Sequence, residues 1–239
     1  MIHPKKTITI DLNGRPASKL DLKGWLIHFN LALDIIIHDM KSKKFSTSLE
    51  LADETTNFER HVLALEDRKF YKHNGIDYIS LLRIGKQFLK RKRLGGVSTI
   101  EQQYVRTVLN RRERTLERKS HEIILSWLLS KRSTKNDILR AYLGSAYFGY
   151  NLNNCDVAAK LLFNVDAASC NNSQSALIAS LLVYPLPKKV IKNSHANHYF
   201  PIDDVDEFIA QQAKHAPHWS RRVLLRKAYS ESLIKDQKA

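Results

Sequence analysis

Two glutamates with basic neighbours give this 239-residue chain the means for acid–base chemistry. The first, Glu66, lies four residues after Val62, at the edge of an apolar helix stripe that also contains Leu65. A carboxylate held half out of water is suited to act as a general base near neutral pH. A surface glutamate paired with Arg68 explains the same pattern, so Glu66 alone does not indicate a function.

The second, Glu122, shares a predicted helix face with Arg114 and Arg118, which precede it at intervals of four residues. Gln103 and Arg106 are likewise neighbours on the helix before it. Arginines near a helix start are a common way to bind phosphate oxygens. Ordinary surface ion pairs explain these residues equally well. Both interpretations stay open at this level.

The segment "GGVSTIEQQ" places polar groups at the start of that earlier helix. Ser98 followed three residues later by Glu101 predicts a capping box, in which two side chains bond the first free N–H groups. Such a box predicts a helix start and says little about function.

The elements that must position these residues are helices. Helical periodicity continues from about Thr47 almost to the end, and eight glycines and six prolines argue against a loop-rich β-sandwich. We predict a mainly α fold. Its helices cover residues 51–73, 77–92, a stretch from Ser98, and 113–132, with shorter ones afterwards and a short strand over 7–16. In the 113–132 helix we expect four apolar residues to be buried: Ile123, Ile124, Trp127 and Leu128.

An apolar N-terminal stretch, residues 24–40, is predicted to be an amphipathic helix. It contains His28, Asn30 and Asp34 and is shorter than the ~20 apolar residues that a membrane span needs. It also lacks a convincing signal-peptide pattern. We expect it to pack on the protein rather than to lie on a membrane surface, although both are compatible with its sequence.

The composition indicates an anionic partner. The formal charge is +15, which suits nucleic acid, an acidic membrane surface or a phosphate-bearing substrate. Cys155 and Cys170 form neither a disulfide framework nor a metal-ligand pair at a familiar spacing, and are expected to be buried. No histidines follow an HExxH pattern, so no zinc site is predicted.

Four ordered motifs resemble those of the family 51 glycosyltransferases, the peptidoglycan transglycosylases of penicillin-binding proteins and of monofunctional enzymes. "EDRKFYKHNGID" fills every fixed place of the first motif, E-D-x-x-F-x-x-H-x-G-x-D. "GGVSTIEQQ" is similar to the second, G-G-S-T-x-T-Q-Q, and "RTLERKSHE" to the third, R-x-x-x-R-K-x-x-E. "KNDILRAYLGSAYFG" resembles the fourth. The resemblance covers residues 47–187, between an N-terminal extension (1–46) and a basic helical tail (188–239).

The resemblance implies a lysozyme-like helical fold with a cleft and a smaller membrane-facing lobe. It implies polymerisation of lipid II, a disaccharide-peptide on a polyprenyl pyrophosphate, by inverting transfer to a 4-hydroxyl. Glu66 would remove the proton from that hydroxyl. Glu122 would orient groups around the leaving pyrophosphate or a bound divalent cation, Mg²⁺ or Mn²⁺. Moenomycin, a mimic of the donor, should bind.

The remaining motif residues would contact the substrate. Arg106, Arg114 and Lys119 would neutralise the pyrophosphate. The full substrate-binding set carried over is Asp67, Phe70, His73, Ser98, Thr99, Gln102, Gln103, Arg106, Arg114, Arg118 and Lys119.

The sequence also departs from the family pattern. Val97 replaces a glycine, and Glu101 replaces a threonine where a charge pointing into the cleft would oppose pyrophosphate binding. Gly144 replaces an asparagine and Gln174 a glutamate. These changes indicate a divergent branch and leave open a catalytically weak relative that binds lipid-linked glycan or a cell-wall partner.

The family implies work on the outer face of the bacterial cytoplasmic membrane, with contact to anionic lipid. Because no anchor or export signal is found in the sequence, a cytoplasmic location also stays open. A nucleic-acid binder is suggested by the charge alone, and no nucleic-acid-binding signature supports it. A glycan hydrolase would use a glutamate but has no need for phosphate-binding arginines.

Overall fold

The computed structural model of the chain describes residues 22–78, 98–111, 113 and 115–236. The predicted mainly α fold is confirmed, since these residues form ten α-helices and a single two-stranded sheet. The strand predicted over 7–16, most of the helix over 77–92, Val97 and Arg114 lie outside the described residues. The helices are α1 (Leu22–Lys44), α2 (Asn57–Glu66), α3 (Ile100–Val108), α4 (Leu116–Arg132), α5 (Lys135–Ser145), α6 (Cys155–Phe163), α7 (Asn172–Leu181), α8 (Lys188–Ala196), α9 (Val205–Gln212) and α10 (Pro217–Asp236).

The sheet is small and consists of two short strands on either side of a tight turn. Strand β1 (Tyr147–Gly149) pairs antiparallel with β2 (Leu152–Asn153). Around it the helices bury one apolar core, which includes Phe58, Phe148 and both free cysteines, Cys155 and Cys170.

Helix α1 packs on the protein, as its amphipathic sequence predicts. Leu33, Ile36 and Met40 follow helical spacing and are buried against α5 and its neighbours. Nearer its start, Leu26 and Ile27 are 63% and 61% exposed. Among the described residues, no helix is both long and apolar enough to cross a membrane.

The end of α1 crosses α5 at Gly144, the position where the family motif has asparagine. A Cβ atom at this position would lie 2.6 Å from the Lys43 carbonyl oxygen and 3.1 Å from the Thr47 Cγ2. That separation is too short for a side chain, so only glycine allows the end of α1 to approach this closely. The replacement therefore accompanies a specific packing contact.

Helix α2 is shorter than the predicted helix over 51–73. A capping box between Thr56 and Glu59 starts it. It ends at Glu66 because Asp67 leaves helical geometry, with φ −158° and ψ 78°, and its carboxylate bonds groups elsewhere in the chain. A short 3₁₀ turn, Phe70–Lys72, follows.

The start of α3 differs from the predicted capping box. Thr99, not Ser98, is the N-cap, and its hydroxyl accepts from the Gln102 N–H at 3.3 Å and donates to the Gly75 carbonyl at 3.0 Å. Gly75 has φ +78°, and a Cβ there would lie 2.3 Å from the Ser126 carbonyl oxygen. Glycine is thus required where this loop meets α4.

Glu101 does not take part in capping and does not point into a cleft. It is fully buried and ion-paired with Lys135 at the start of α5. The Lys135 ammonium also lies 4.4 Å from the centroid of the Phe70 ring. A nearby cation holds the carboxylate in the interior, where it adds no negative charge to an anion site.

Helix α4 is less buried than its sequence suggests. Ile124 and Trp127, both expected in the core, are 41% and 42% exposed. Leu125 and Leu129 fill the buried positions instead. With two apolar faces available, the sequence pattern alone did not identify the one that packs.

The C-terminal helix α10 packs against α2 and α7. A buried hydrogen-bonded chain joins the three helices: His61 Nδ1 lies 2.7 Å from Ser230 Oγ and Nε2 lies 2.9 Å from Asn172 Oδ1. Burial, the largest effect, lowers the pKa of His61 below its ordinary 6.5. Neutral imidazole is therefore part of the native packing.

Acidification should weaken this packing. Because the pKa of His61 is lower in the native state than in the unfolded chain, its contribution is complete above pH ~6.5 and declines as the pH falls from there towards the native pKa. We expect the urea midpoint of the wild type to fall between pH 7.5 and 5.5 by more than that of His61→Gln. The exposed His198→Gln is the control and should retain the wild-type pH dependence. Equal pH slopes for wild type and His61→Gln would contradict this role.

Candidate functional site

Glu66 ends α2 and is bonded on both carboxylate oxygens. Gln103 Nε2 on α3 donates to Oε2 at 3.1 Å, and Arg226 Nη2 on α10 lies 2.5 Å from Oε1. The glutamate side chain is only 10% exposed. It is therefore a held, partly buried carboxylate rather than a mobile surface glutamate, and its role as a general base stays a prediction.

Tyr142 on α5 completes this group. Its hydroxyl donates to Gln103 Oε1 at 2.8 Å, which orients the Gln103 amide so that its NH₂ group faces Glu66. Burial, and then the negative charge of Glu66, raises the pKa of Tyr142, so it remains a neutral donor. Glu66, Gln103, Tyr142 and Arg226 are called the Glu66 cluster below.

Asp67, Phe70 and His73, predicted to contact the substrate, form the frame behind this cluster. Asp67 Oδ2 accepts from the Ile100 N–H at 3.1 Å and lies 3.0 Å from His73 Nε2. Asp67 is 9% and Phe70 1% exposed. These residues join α2 to α3, and their contact with substrate stays a prediction.

One potential metal-ligand atom from each of Asp67, His73 and Glu101 lies within 4.8 Å of the others. The carboxylates already have partners, since Lys135 neutralises Glu101 and the Ile100 N–H and His73 bond Asp67. We therefore interpret the group as structural.

A second polar group forms where α3 faces α4. Lys119 Nζ donates to Gln102 Oε1 at 2.6 Å and to Ser98 Oγ at 3.0 Å. Its third contact, to Glu122 Oε2, is the longest at 3.4 Å. Arg118 pairs with the other oxygen of Glu122, which is 3% exposed. Ser98, Gln102, Arg118, Lys119 and Glu122 are called the Lys119 cluster below.

The Lys119 cluster is rich in positive charge. Burial lowers the pKa of Lys119 most; Glu122 opposes this shift, and Arg106 and Arg118 add to it. Arg106 is half-buried and has no hydrogen-bond or ion-pair partner among the residues that the structure describes. Its positive charge acts to lower the pKa of both Lys119 and Tyr142. The cluster thus has cations in excess over its one carboxylate.

The surroundings of Glu122 do not fit the expected divalent cation. Each of its oxygens is bonded by a cationic side chain, Arg118 on one and Lys119 on the other. A metal ion would have to displace both of them and approach Arg106 as well.

The sequence predicted most members of both clusters as site residues, but it did not predict how they group, and it missed two members. The structure brings together Glu66 with Gln103, and Ser98 with Gln102, Arg118, Lys119 and Glu122. Thr99 is 3% exposed and caps α3, whereas Arg114 lies outside the described residues. Tyr142 and Arg226 were not predicted. The spacing of Arg226 three residues after buried Val223 is the one sequence signal that marks it as partly enclosed.

Comparison with known proteins agrees with the resemblance found in the sequence motifs. A family model described as Transglycosylase matches residues 34–200, well over half of the chain. The chain is 39% identical over 142 residues to penicillin-binding protein 2a of Streptococcus pneumoniae, covering 58% of this chain and 19% of that protein. It is 32% identical over 183 residues to penicillin-binding protein 1A of Rickettsia typhi, covering 73% and 23%.

A third relative is nearer in size. It is a Cupriavidus necator protein whose name includes the word transglycosylase, 33% identical over 132 residues, with 55% of this chain and 57% of that protein covered. The chain spans less than two thirds of the length of each of these relatives.

The family match begins within α1 and ends before α9, so it contains both polar clusters except for Arg226. The motifs, the mainly α lysozyme-like fold and the match over residues 34–200 agree with one another. The chain therefore belongs to the transglycosylase family, the peptidoglycan glycosyltransferases of family 51.

Proposed function

We propose that the chain polymerises a polyprenyl-pyrophosphate disaccharide of the lipid II type. The 4-hydroxyl of the acceptor sugar attacks the anomeric carbon of the donor, and the bond from that carbon to the pyrophosphate oxygen breaks with inversion. Glu66 takes the hydroxyl proton. The pyrophosphate leaves with the bonding electron pair.

The observation that supports this proposal best is the position of α3 between the Glu66 carboxylate and the cations of the Lys119 cluster. Gln102 bonds Lys119, and the next residue, Gln103, bonds Glu66. Consecutive neutral amides thus hold a carboxylate on one side and a cation cluster on the other. An acceptor hydroxyl needs the former and a departing pyrophosphate the latter.

The cations would stabilise the charge that develops on the leaving group. Lys119 is held by Ser98 and Gln102, while its longer contact with Glu122 is the one that a phosphate oxygen would most readily replace. Arg106, unpaired among the described residues, supplies a second charge. Donors fixed in advance need no reorganisation during the reaction, which is the basis of electrostatic catalysis.

We further propose that the protein works at an anionic membrane surface. Exposed Leu26 and Ile27 on α1 and exposed Ile124 and Trp127 on α4 belong to helices that contact each other. Lysines and an arginine end the same helices. Apolar side chains on helices that also carry cations suit association with the boundary of anionic lipid.

Replacing the base should abolish polymerisation. Glu66→Gln retains the size of the side chain but accepts no proton, so we expect product formation from labelled lipid II to fall by at least about 100-fold. The measurement is separation of products by size. Glu54→Gln, an exposed glutamate outside both clusters, is the control and should match wild type. A Glu66→Gln protein that polymerises at more than a tenth of the wild-type rate would exclude Glu66 as the base.

The charge of Lys119 should give the reaction an alkaline limit. Because its pKa is lowered, Lys119 loses its proton below the ordinary lysine value of 10.5, and the rate should fall with it as the pH rises. Lys119→Arg, which stays charged, should extend activity to higher pH, whereas Lys119→Gln should reduce kcat by about 100-fold below the alkaline limit and should lack that limit. The measurement is kcat against pH. An unchanged alkaline limb in Lys119→Arg would show that another group titrates.

Membrane association should depend on the exposed apolar residues of α1. The double substitution Leu26→Gln with Ile27→Gln should lower partitioning onto phosphatidylglycerol vesicles by at least about tenfold, since each apolar side chain contributes roughly 1–2 kcal/mol when buried. Co-sedimentation measures this. Leu51→Gln, which also removes an exposed leucine (87% exposed), is the control. Equal binding by both variants, or binding to phosphatidylcholine as strong as to phosphatidylglycerol, would contradict the proposed surface.

A further inference from the structure

Arg226 is bonded to the proposed base and comes from a helix outside the family match. Its Nη2 lies 2.5 Å from Glu66 Oε1, while Gln103 holds Oε2 at 3.1 Å. The carboxylate is therefore bonded from α10 on one oxygen and from α3 on the other. Two contacts from different helices restrict it to one orientation.

The burial of the pair makes this contact stronger than a surface ion pair. The side chains are 20% exposed for Arg226 and 10% for Glu66. Water screens such a pair less than an exposed one, and removal of one partner leaves the other charge poorly solvated. The Arg226 Nε is buried and has no acceptor among the described residues, so Glu66 is the one acceptor they give this guanidinium.

Neighbouring contacts fix the position of Arg226 on α10. Tyr229, three residues later, is hydrogen-bonded by Arg68, which belongs to the turn after Glu66. Ser230 is bonded to His61 of α2 at 2.7 Å. Lys227 bonds Asp206 on α9 at 2.9 Å and Glu231 at 3.0 Å. The helix therefore presents Arg226 to Glu66 from a backbone tied to α2 and α9.

We propose that Arg226 is a positioning residue that holds the Glu66 carboxylate in the orientation from which it accepts the acceptor's proton. This inference rests on the proposed function. Residue 226 lies beyond residue 200, where the family match ends, so α10 completes a site whose other members all lie within that match.

Whether the reaction rate falls or rises when Arg226 is removed distinguishes two roles: positioning Glu66 for the reaction, or keeping Glu66 from its substrate. Arg226 can only donate hydrogen bonds, and its charge disfavours protonation of the carboxylate. If the ion pair merely kept Glu66 from its substrate, loss of Arg226 would raise the rate. If Arg226 positions Glu66, loss of Arg226 lowers it.

The first experiment compares Arg226→Met with Arg222→Met in lipid II polymerisation. Arg222 lies four residues earlier on the same helix, is exposed, and its guanidinium carbon lies 5.8 Å from the Tyr184 ring centroid. We expect Arg226→Met to lower kcat by about 10- to 100-fold with KM changed less than about twofold, since misorientation of a catalytic group affects the chemical step. Arg222→Met should retain the wild-type kcat.

Two further variants test whether the guanidinium itself is needed. Arg226→Lys should recover part of kcat, and Arg226→Ala should be rescued by guanidinium ion at non-denaturing concentrations. A purely structural loss would not respond to added guanidinium. A kcat for Arg226→Met that is equal to that of Arg222→Met, or higher than that of the wild type, would overturn the proposal.

A second measurement does not depend on activity. A double-mutant cycle of Glu66→Gln and Arg226→Met in urea unfolding should show coupling of about tenfold in the unfolding equilibrium constant. If the effects of the two substitutions on the free energy of unfolding were additive, the proposal would be overturned, because the two side chains would then not interact in solution. Wild-type protein that makes no polymer but shows the coupling would refute the proposed function while supporting Arg226 as the residue that holds Glu66.

Discussion

The carboxylate of Asp67 joins the end of α2 to the start of α3, and both polar clusters depend on that joint. It accepts the Ile100 N–H at 3.1 Å and bonds His73 at 3.0 Å, so the two helix ends have one relative position. Glu66 directly precedes Asp67, and Gln102 and Gln103 follow Ile100 within one turn. A carboxylate at a helix N-terminus also complements the partial positive charge there. The relative position of Glu66 and Gln103 is thereby set by the backbone before any substrate is present.

Neutral amides separate the charges that this register brings near each other. Gln102 and Gln103 each bond a charged group with one end, and Tyr142 fixes the second amide through its oxygen. A charged residue at either position would be attracted to one of these groups and repelled by the other. The Glu66 carboxylate and the cations of the Lys119 cluster therefore do not pair with each other, although one turn of α3 contacts both.

Sequence reasoning succeeded where chemistry is local and failed where distant contacts decide. Helical spacing was enough to place Arg118 and Glu122 on one face and to predict that residues 24–40 form a packed helix. It assigned the cap of α3 to Ser98, whereas Lys119 from α4 bonds that hydroxyl and Thr99 takes the capping role. Glu101 was assigned to the cap for the same reason. Its actual partner, Lys135, is 34 residues away in the chain.

The same limit explains the errors about exposure and the residues that were missed. Helix α4 has apolar residues around most of its circumference, and only the positions of α1 and α3 decide that Leu125 is buried and Trp127 is not. Arg226 lies 160 residues from Glu66. No spacing rule connects residues so far apart, and their contact results from the packing of α10 on α2. The Asp67, Phe70 and His73 side chains were predicted from the motif as substrate contacts, and the structure gives each of them a framework role that the motif alone does not reveal.

Gly144 shows how a single residue constrains the path of a neighbouring helix. Because the Lys43 carbonyl would lie 2.6 Å from any Cβ at this position, the glycine and the path of α1 form a matched pair. The asparagine of the family motif would fit at this position only if the end of α1 withdrew. The residue type at this one position therefore indicates where the end of α1 lies: a side chain there requires the helix to pass farther from α5.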